Sequence, residues 1–378
     1  MTSRRAGWDL SENPLSRALD ARRARGGQIL DLTESNPTRI GLSYPEAEIR
    51  AALALPGVLR YDPAPRGLRS AREAVAAHHA VDPDRVILTA STSEAYAFVW
   101  KLLCDPGDEI LVPRPSYPLF DYLSDLEGVV ARPYRLERDA GWRLDPGSVA
   151  GSISPRTRAI AIVHPNNPTG SFLKSDDVHA LAAHGLPLVS DEVFADYAAG
   201  PDPLRAAGVA ARDDLLSFTL SGLSKLALLP QVKLGWIVVG GPRGARVDAL
   251  ARLEVIADTY LSVSASAAHA APALLRIGAD LRRSLCERIA VNDVRLRDRT
   301  IGSPIEVLPR EAGWYALLRL PRTRTDEEWA LHLLEAGVHV HPGSFFDFEE
   351  DGFVVVSLIL PPDAFASAVD SLVAAASD

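Results

Sequence analysis

Residues 158–193, RAIAIVHPNNPTGSFLKSDDVHALAAHGLPLVSDEV, read as strand, loop, helix and strand. RAIAIVHP (158–165) is an apolar run of strand length, and HPNNPTG (164–170) is rich in turn residues. KSDDVHALAAHG (174–185) carries helical spacing, and PLVSDEV (187–193) reads as a second strand. Two parallel strands need a crossover between them, and a helix supplies it. Runs that are apolar throughout, without alternation, belong to a sheet covered on both faces.

The same rhythm extends outward in both directions. Upstream lie a short strand at 28–32, helices at 46–55 and 67–80, VILTA (86–90), the helical STSEAYAFVWKLLC (91–104), EILVP (109–113), a helix from 118 and a strand VVARPYRL (129–136). Downstream, SFTLS (217–221) and LGWIVVG (234–240) are two more strands. The expectation is an α/β protein with a mostly parallel central sheet in a large domain. Residues 244–300 read as mostly helical, with a long charged helix over RIGADLRRSLCERIAVNDVRLRDR (276–299). Beyond it, WYALLRL (314–320), VHVHPG (338–343) and FVVVSLIL (353–360) read as strands, and 325–336 and 362–376 as helices, giving a smaller α/β domain.

Composition narrows the function classes. The chain has 378 residues, 47% hydrophobic and 24% charged, the balance of a soluble globular protein. A net charge of −9 argues against a general affinity for nucleic acid or anionic membrane, which both require clustered cationic surface. No apolar run reaches the roughly 18 to 20 residues of a membrane span, and the first 27 residues contain no apolar leader segment. With only Cys104 and Cys286, neither a disulfide framework nor a cysteine-rich metal site is expected, and a reducing cytoplasm fits best.

Four loops fall at the C-terminal ends of apolar strands, where open α/β sheets place their ligands. They are TASTSEA (89–95), HPNNPTG (164–170), SDEVF (190–194) and SGLSK (221–225). Each alone has an ordinary explanation as a turn, a cap or a serine-rich loop. In this order and spacing, with Asn167 and Asp191 24 residues apart and Asp191 and Lys225 34 apart, the chain resembles the class I/II aminotransferases. These are fold-type I enzymes dependent on pyridoxal 5′-phosphate, and the resemblance covers nearly the whole sequence. It implies a large cofactor-binding domain at 41–276, and a small domain made of 1–40 and 277–378.

The resemblance assigns roles that the chemistry explains. The cofactor's aldehyde needs a lysine amine that is neutral at working pH to form a Schiff base. Of the four lysines, at 101, 174, 225 and 233, only Lys225 follows a strand in a loop of small residues. Asp191 matches the carboxylate that keeps the pyridine nitrogen protonated, and Asn167 the amide that donates to the ring oxygen O3′, with Asn166 a turn residue. The phosphate calls for a helix N-terminus, hydroxyls and a cation. Ser91 and Thr92, then Ser93, supply the first, Ser221 or Ser224 a hydroxyl, and Lys233 the charge. Tyr117 matches the aromatic stacked on the ring, and Tyr61 the tyrosine that reaches the phosphate of a neighbouring subunit, which implies a homodimer.

Two positions depart from the family. Phe194 stands where a tyrosine usually donates to O3′. Val355 stands where the family carries its carboxylate-binding arginine, and residues 325–378 contain no Lys or Arg at all. Arg39, His339 and His341 are the candidates to replace it. The expected activity is transamination between a small-molecule amino donor and a keto acid. A lyase or decarboxylase on the same fold is the alternative, since substrate orientation selects the bond broken. A non-enzymatic regulator built on this domain would carry a DNA-binding domain in front, and only about 27 residues precede the first strand.

Overall fold

A computed structural model of the chain describes residues 2–377. Its centre is an eight-stranded sheet in the order Val86–Thr89, Gly235–Gly240, Ser217–Gly222, Leu188–Asp191, Thr157–Val163, Glu109–Arg114, Val130–Glu137 and Arg143–Leu144. Six of these strands run the same way. Gly235–Gly240 and Arg143–Leu144 run opposite to their neighbours. Val86–Thr89, Leu188–Asp191 and Ser217–Gly222 are buried along their whole length, polar Ser190, Asp191, Ser217, Thr219 and Ser221 included, as strands of a sheet covered on both faces are.

Helices cover both faces of the sheet. One apolar cluster joins Ile87, Val189, Phe218 and Ile237 to Tyr96, Phe98 and Trp100 of the helix Thr92–Leu103. Another joins Leu111, Ile160 and Leu188 to Val178 and Leu181 of the helix Ser175–Ala182. Ser91 starts the first of these helices by accepting from the Glu94 N–H at 3.1 Å, a cap worth about 1 kcal/mol.

The C-terminal part forms an antiparallel sheet in the order Glu306–Val307, Tyr315–Arg319, Phe353–Ser357 and His341–Pro342. The N-terminal segment meets the C-terminal part through Leu30–Asp31, which pairs in parallel with Val338–His339 in a separate two-stranded sheet. The charged helix begins eleven residues earlier than its sequence suggested and runs unbroken over Ala265–Thr300. It packs against Glu46–Leu53, Arg69–His79 and Pro362–Ser377, so residues 276 and 277 lie inside one continuous helix. Two other readings change. Pro14–Ala24 is a helix capped by Asn13, which its Arg-rich, weakly apolar sequence hid. The strand at 353 ends at Ser357, with the Leu358 N–H still donating to the Trp314 carbonyl in the same antiparallel register.

Candidate active site

The register of the large sheet aligns Val163 with Asp191, Asp191 with Leu220, and Gly222 with Gly235. The loops carrying Asn167, Asp191 and Lys225 therefore leave the sheet side by side, at its C-terminal edge. Lys225 sits in the single helical turn Leu223–Leu226. Its Nζ lies 4.6 Å from the centre of the Trp314 ring and 5.6 Å from that of Phe194. Its carbonyl accepts from the Tyr197 hydroxyl at 2.6 Å, while Arg282 Nη1 donates to the next carbonyl, of Leu226, at 2.5 Å. Burial in this aromatic box pushes the Lys225 amine down to about 8, against the opposing pull of the Asp191 charge.

Asp191, at the end of its strand, is only 6% exposed. Burial pushes its carboxyl up to about 6, although the Val193 N–H, the Tyr96 hydroxyl and Lys225 all favour the ionised form. The Val193 N–H donates to Oδ1 at 3.1 Å and the Tyr96 hydroxyl to Oδ2 at 3.0 Å. A carboxylate and a lysine amine that bias each other's charge at the end of a sheet are the pattern of a site built for proton handling.

The two asparagines of the PNNPTG loop behave oppositely. Asn166 is more than a turn residue. Buried, it donates to the Pro115 carbonyl and Thr169 Oγ1 and accepts from Ser116 Oγ, which locks this loop to the one carrying Tyr117. Asn167 makes no side-chain hydrogen bond among the described residues, and its Oδ1 is buried without a partner. Unsatisfied buried polar atoms are rare in native structures and call for an explanation.

At the start of Thr92–Leu103, Ser91 Oγ is engaged as the cap, and the Thr92 and Ser93 N–H groups have no partner among the described residues. Gly235 lies against this turn, and a Cβ there would approach Ser91 C to 2.7 Å and Thr92 N to 2.9 Å. The strand thus passes close under the helix start only because position 235 has no side chain. The hydroxyls of Thr92, Ser93, Ser221 and Ser224 are likewise uncommitted among the described residues. Lys233, at φ 60° in the turn before Gly235–Gly240, is exposed and has no acidic partner among them. Tyr117 is half-buried on the neighbouring loop. Burial and the Asp191 charge push its hydroxyl up to about 12.

This donor set fits pyridoxal phosphate. A free helix start with spare hydroxyls and a cation suits the phosphate, the buried Asp191 suits a protonated ring nitrogen, and the unpartnered Asn167 amide suits the ring oxygen.

Other expected residues lie elsewhere. Tyr61 is 81% exposed and lines a cavity of about 380 Å³ with Leu59, Leu261, Val263 and His269, a lining that holds no other candidate cofactor residue. Val355 is fully buried between Leu317 and His341 on the flanking strands. His341 is pushed down to about 4 by burial, with His339 adding to the effect. Burial thus disfavours its charged form. His339 is already engaged with Asp31 at 3.2 Å. Arg39 closes the turn Pro37–Arg39, exposed and without an acidic partner among the described residues. Trp314, Tyr96 and Tyr197 were missed as site residues. In sequence they are apolar positions of ordinary strands and helices, and no local signal separates them from core.

Fold and donor set together define the class of fold-type I pyridoxal phosphate proteins. Residues 29–372 match the family described as aminotransferase class I and II, and the chain belongs to it. Among curated relatives it is 29% identical to an alanine aminotransferase of Mycobacterium bovis, over 65% of this chain and 60% of that protein. It is 30% identical to the glutamate-pyruvate aminotransferase AlaA of Escherichia coli, over 65% and 63%. The matched segment thus spans less than two thirds of these relatives. Among solved structures, an alanine aminotransferase from Pyrococcus furiosus superposes with a TM-score of 0.88 at 23% identity, over 98% of both chains. A Thermus thermophilus aspartate aminotransferase variant superposes at 0.86 and 24%, over 99% of both. These likenesses establish the fold, and membership of the family implies pyridoxal phosphate as cofactor.

Proposed function

We propose that this protein is a pyridoxal phosphate-dependent aminotransferase, moving an amino group between a small-molecule amino donor and a keto acid. The observation that carries the reading is the convergence of Lys225, Asp191 and the unpartnered Asn167 at one sheet edge. When bound, the cofactor supplies a ring that accepts electrons from the substrate's Cα. Lys225 would hold the cofactor through its aldehyde carbon, and its amine, whose grip on a proton the aromatic box weakens, would serve as the base for the proton on the substrate's Cα. Asp191 holds the proton on the ring nitrogen. Asn167 donates to O3′, and Phe194, packed against Trp314, Tyr197 and Tyr315, adds no second donor there. Ser91 and Thr92, with Ser221, Ser224 and Lys233, grip the phosphate, and Tyr117 covers the ring.

The protein is a homodimer in this reading. Tyr61, exposed beside Leu59 and Leu261, serves the partner's phosphate. Mixing Lys225→Ala with Tyr61→Phe chains should restore part of the activity in heterodimers, and no recovery would remove Tyr61 from the site. A cytoplasmic setting suits a chain whose two cysteines are both free. The strand Phe353–Ser357 offers a substrate carboxylate no cation, so Arg39 takes that part. Without such a replacement cation, alanine, after which some relatives are named, would be a poor donor. A panel of amino acids and amines, each offered with pyruvate or 2-oxoglutarate to the cofactor-loaded protein, tests the activity by the keto acid formed. Turnover of no donor, or products of carbon–carbon cleavage alone, would reject transamination.

A further inference from the structure

Tyr96 lies one turn into the helix Thr92–Leu103, whose first N–H groups face the candidate phosphate site. It is 1% exposed, and its ring is held edge-on to Phe120 at 5.5 Å and tilted against Trp100 at 5.7 Å. Those contacts fix where the hydroxyl points, and it donates to Asp191 Oδ2. The carboxylate is therefore clamped from two elements, by the Tyr96 hydroxyl on one oxygen and the Val193 N–H on the other. Lys225, Tyr117 and the adjoining Glu192 are the other titratable groups that face it, and Tyr134 faces Tyr96. Glu192 is occupied by Ser190 Oγ and the Val209 N–H, and Lys225 is the residue read as binding the aldehyde carbon. Among these groups, Tyr96 is the neutral side-chain donor bonded to Asp191.

We propose that Tyr96 is a positioning residue for the cofactor: its hydroxyl keeps Asp191 ionised and fixes the rotation of the carboxylate that holds the ring nitrogen. A donor to the charged form of an acid favours that form. Without it, Asp191 becomes more basic and draws the shared proton away from the ring. Because Tyr96 stands on the helix that begins with Thr92 and Ser93, it also sets the spacing between the phosphate end of the site and the ring-nitrogen end. This rests on the reading that Asp191 faces the ring nitrogen.

The test compares how tightly the cofactor-free chain binds pyridoxal phosphate and its 1-deaza analogue, in which a CH group replaces the ring nitrogen. In the wild type, pyridoxal phosphate should bind at least about tenfold tighter, by the strength of a hydrogen bond to a charged group. Equal binding there would overturn the placement of Asp191, and the proposal with it. Tyr96→Phe should weaken pyridoxal phosphate on the order of 10- to 100-fold and leave the deaza analogue unchanged. Equal weakening of both ligands would show a merely structural role, and no change in either would show none, so each overturns the proposal. Should Tyr96→Phe fail to fold, 3-fluorotyrosine at position 96 retains the ring and strengthens the donor. The ratio between the two ligands should then widen, and an unchanged ratio would refute the role.

Discussion

Asn166 and Asn167 are adjacent, chemically identical and opposite in their commitments, so truncating each in turn separates scaffold from site. Asn166→Ala removes three buried hydrogen bonds, to Pro115 O, Thr169 Oγ1 and Ser116 Oγ. It also strands the Pro115 carbonyl and the Ser116 hydroxyl away from water. At about 1 kcal/mol for each bond, with a small cavity added, the loss of stability should be roughly 2–4 kcal/mol. Asn167→Ala removes an acceptor that has no partner, so the cofactor-free protein should change by less than about 1 kcal/mol and could gain slightly. Affinity for pyridoxal phosphate should behave differently. Asn167→Ala loses a donor to O3′ and should bind about tenfold more weakly. Urea unfolding of the cofactor-free variants and equilibrium titration with the cofactor measure the two quantities independently. The reasoning fails if Asn167→Ala destabilises the empty protein as much as Asn166→Ala does, or leaves cofactor affinity untouched.

Three further outcomes are expected. Borohydride should fix the cofactor to the peptide containing Lys225. Attachment should speed up as pH rises, with a midpoint near 8 in the wild type and lower in Asp191→Asn, because the Asp191 charge holds the amine's affinity for its proton up; an adduct on Lys101, Lys174 or Lys233 would reject the assignment. Asp191→Asn should stabilise the cofactor-free protein at pH 8 by up to about 3 kcal/mol, the worth of raising a carboxyl from 3.8 to about 6. The sign follows from a raised acid, whose burial is tolerated below about pH 4 and becomes a cost as pH climbs through 6, so the gain should vanish at pH 4, and a gain that persists there would contradict it. Arg39→Ala should lower kcat/KM for the best amino acid donor more than tenfold, and wild-type kinetics would dismiss Arg39 as the carboxylate's partner.

Much of this molecule was legible in one dimension, because a parallel sheet buried on both faces must be written as apolar runs separated by crossover helices. The strands ending at Thr89, Arg114, Val163, Asp191 and Gly222 could therefore be read within a residue or two. The loops after them were legible too. Only small and turn-forming residues let a chain leave a strand and approach a ligand closely, as NNPTG and SGLSK do. The N-terminal helix Pro14–Ala24 escaped because its exposed, Arg-rich surface carries little apolar periodicity.

Tertiary structure alone decided which polar groups were already spent. Nothing local distinguishes Asn166 from Asn167, and the difference arises from Pro115 and Ser116, some fifty residues away. Tyr96 reads as one more apolar position on a helix until the fold sets its hydroxyl against Asp191, 95 residues on. Arg39, His339 and His341 were all candidates to hold the substrate carboxylate in sequence, and only the fold shows that His341 is largely buried while Arg39 is exposed. Hydrogen-bond satisfaction and desolvation depend on neighbours distant in the chain, so sequence can supply the chemical groups of a site while packing determines which of them remain free to act.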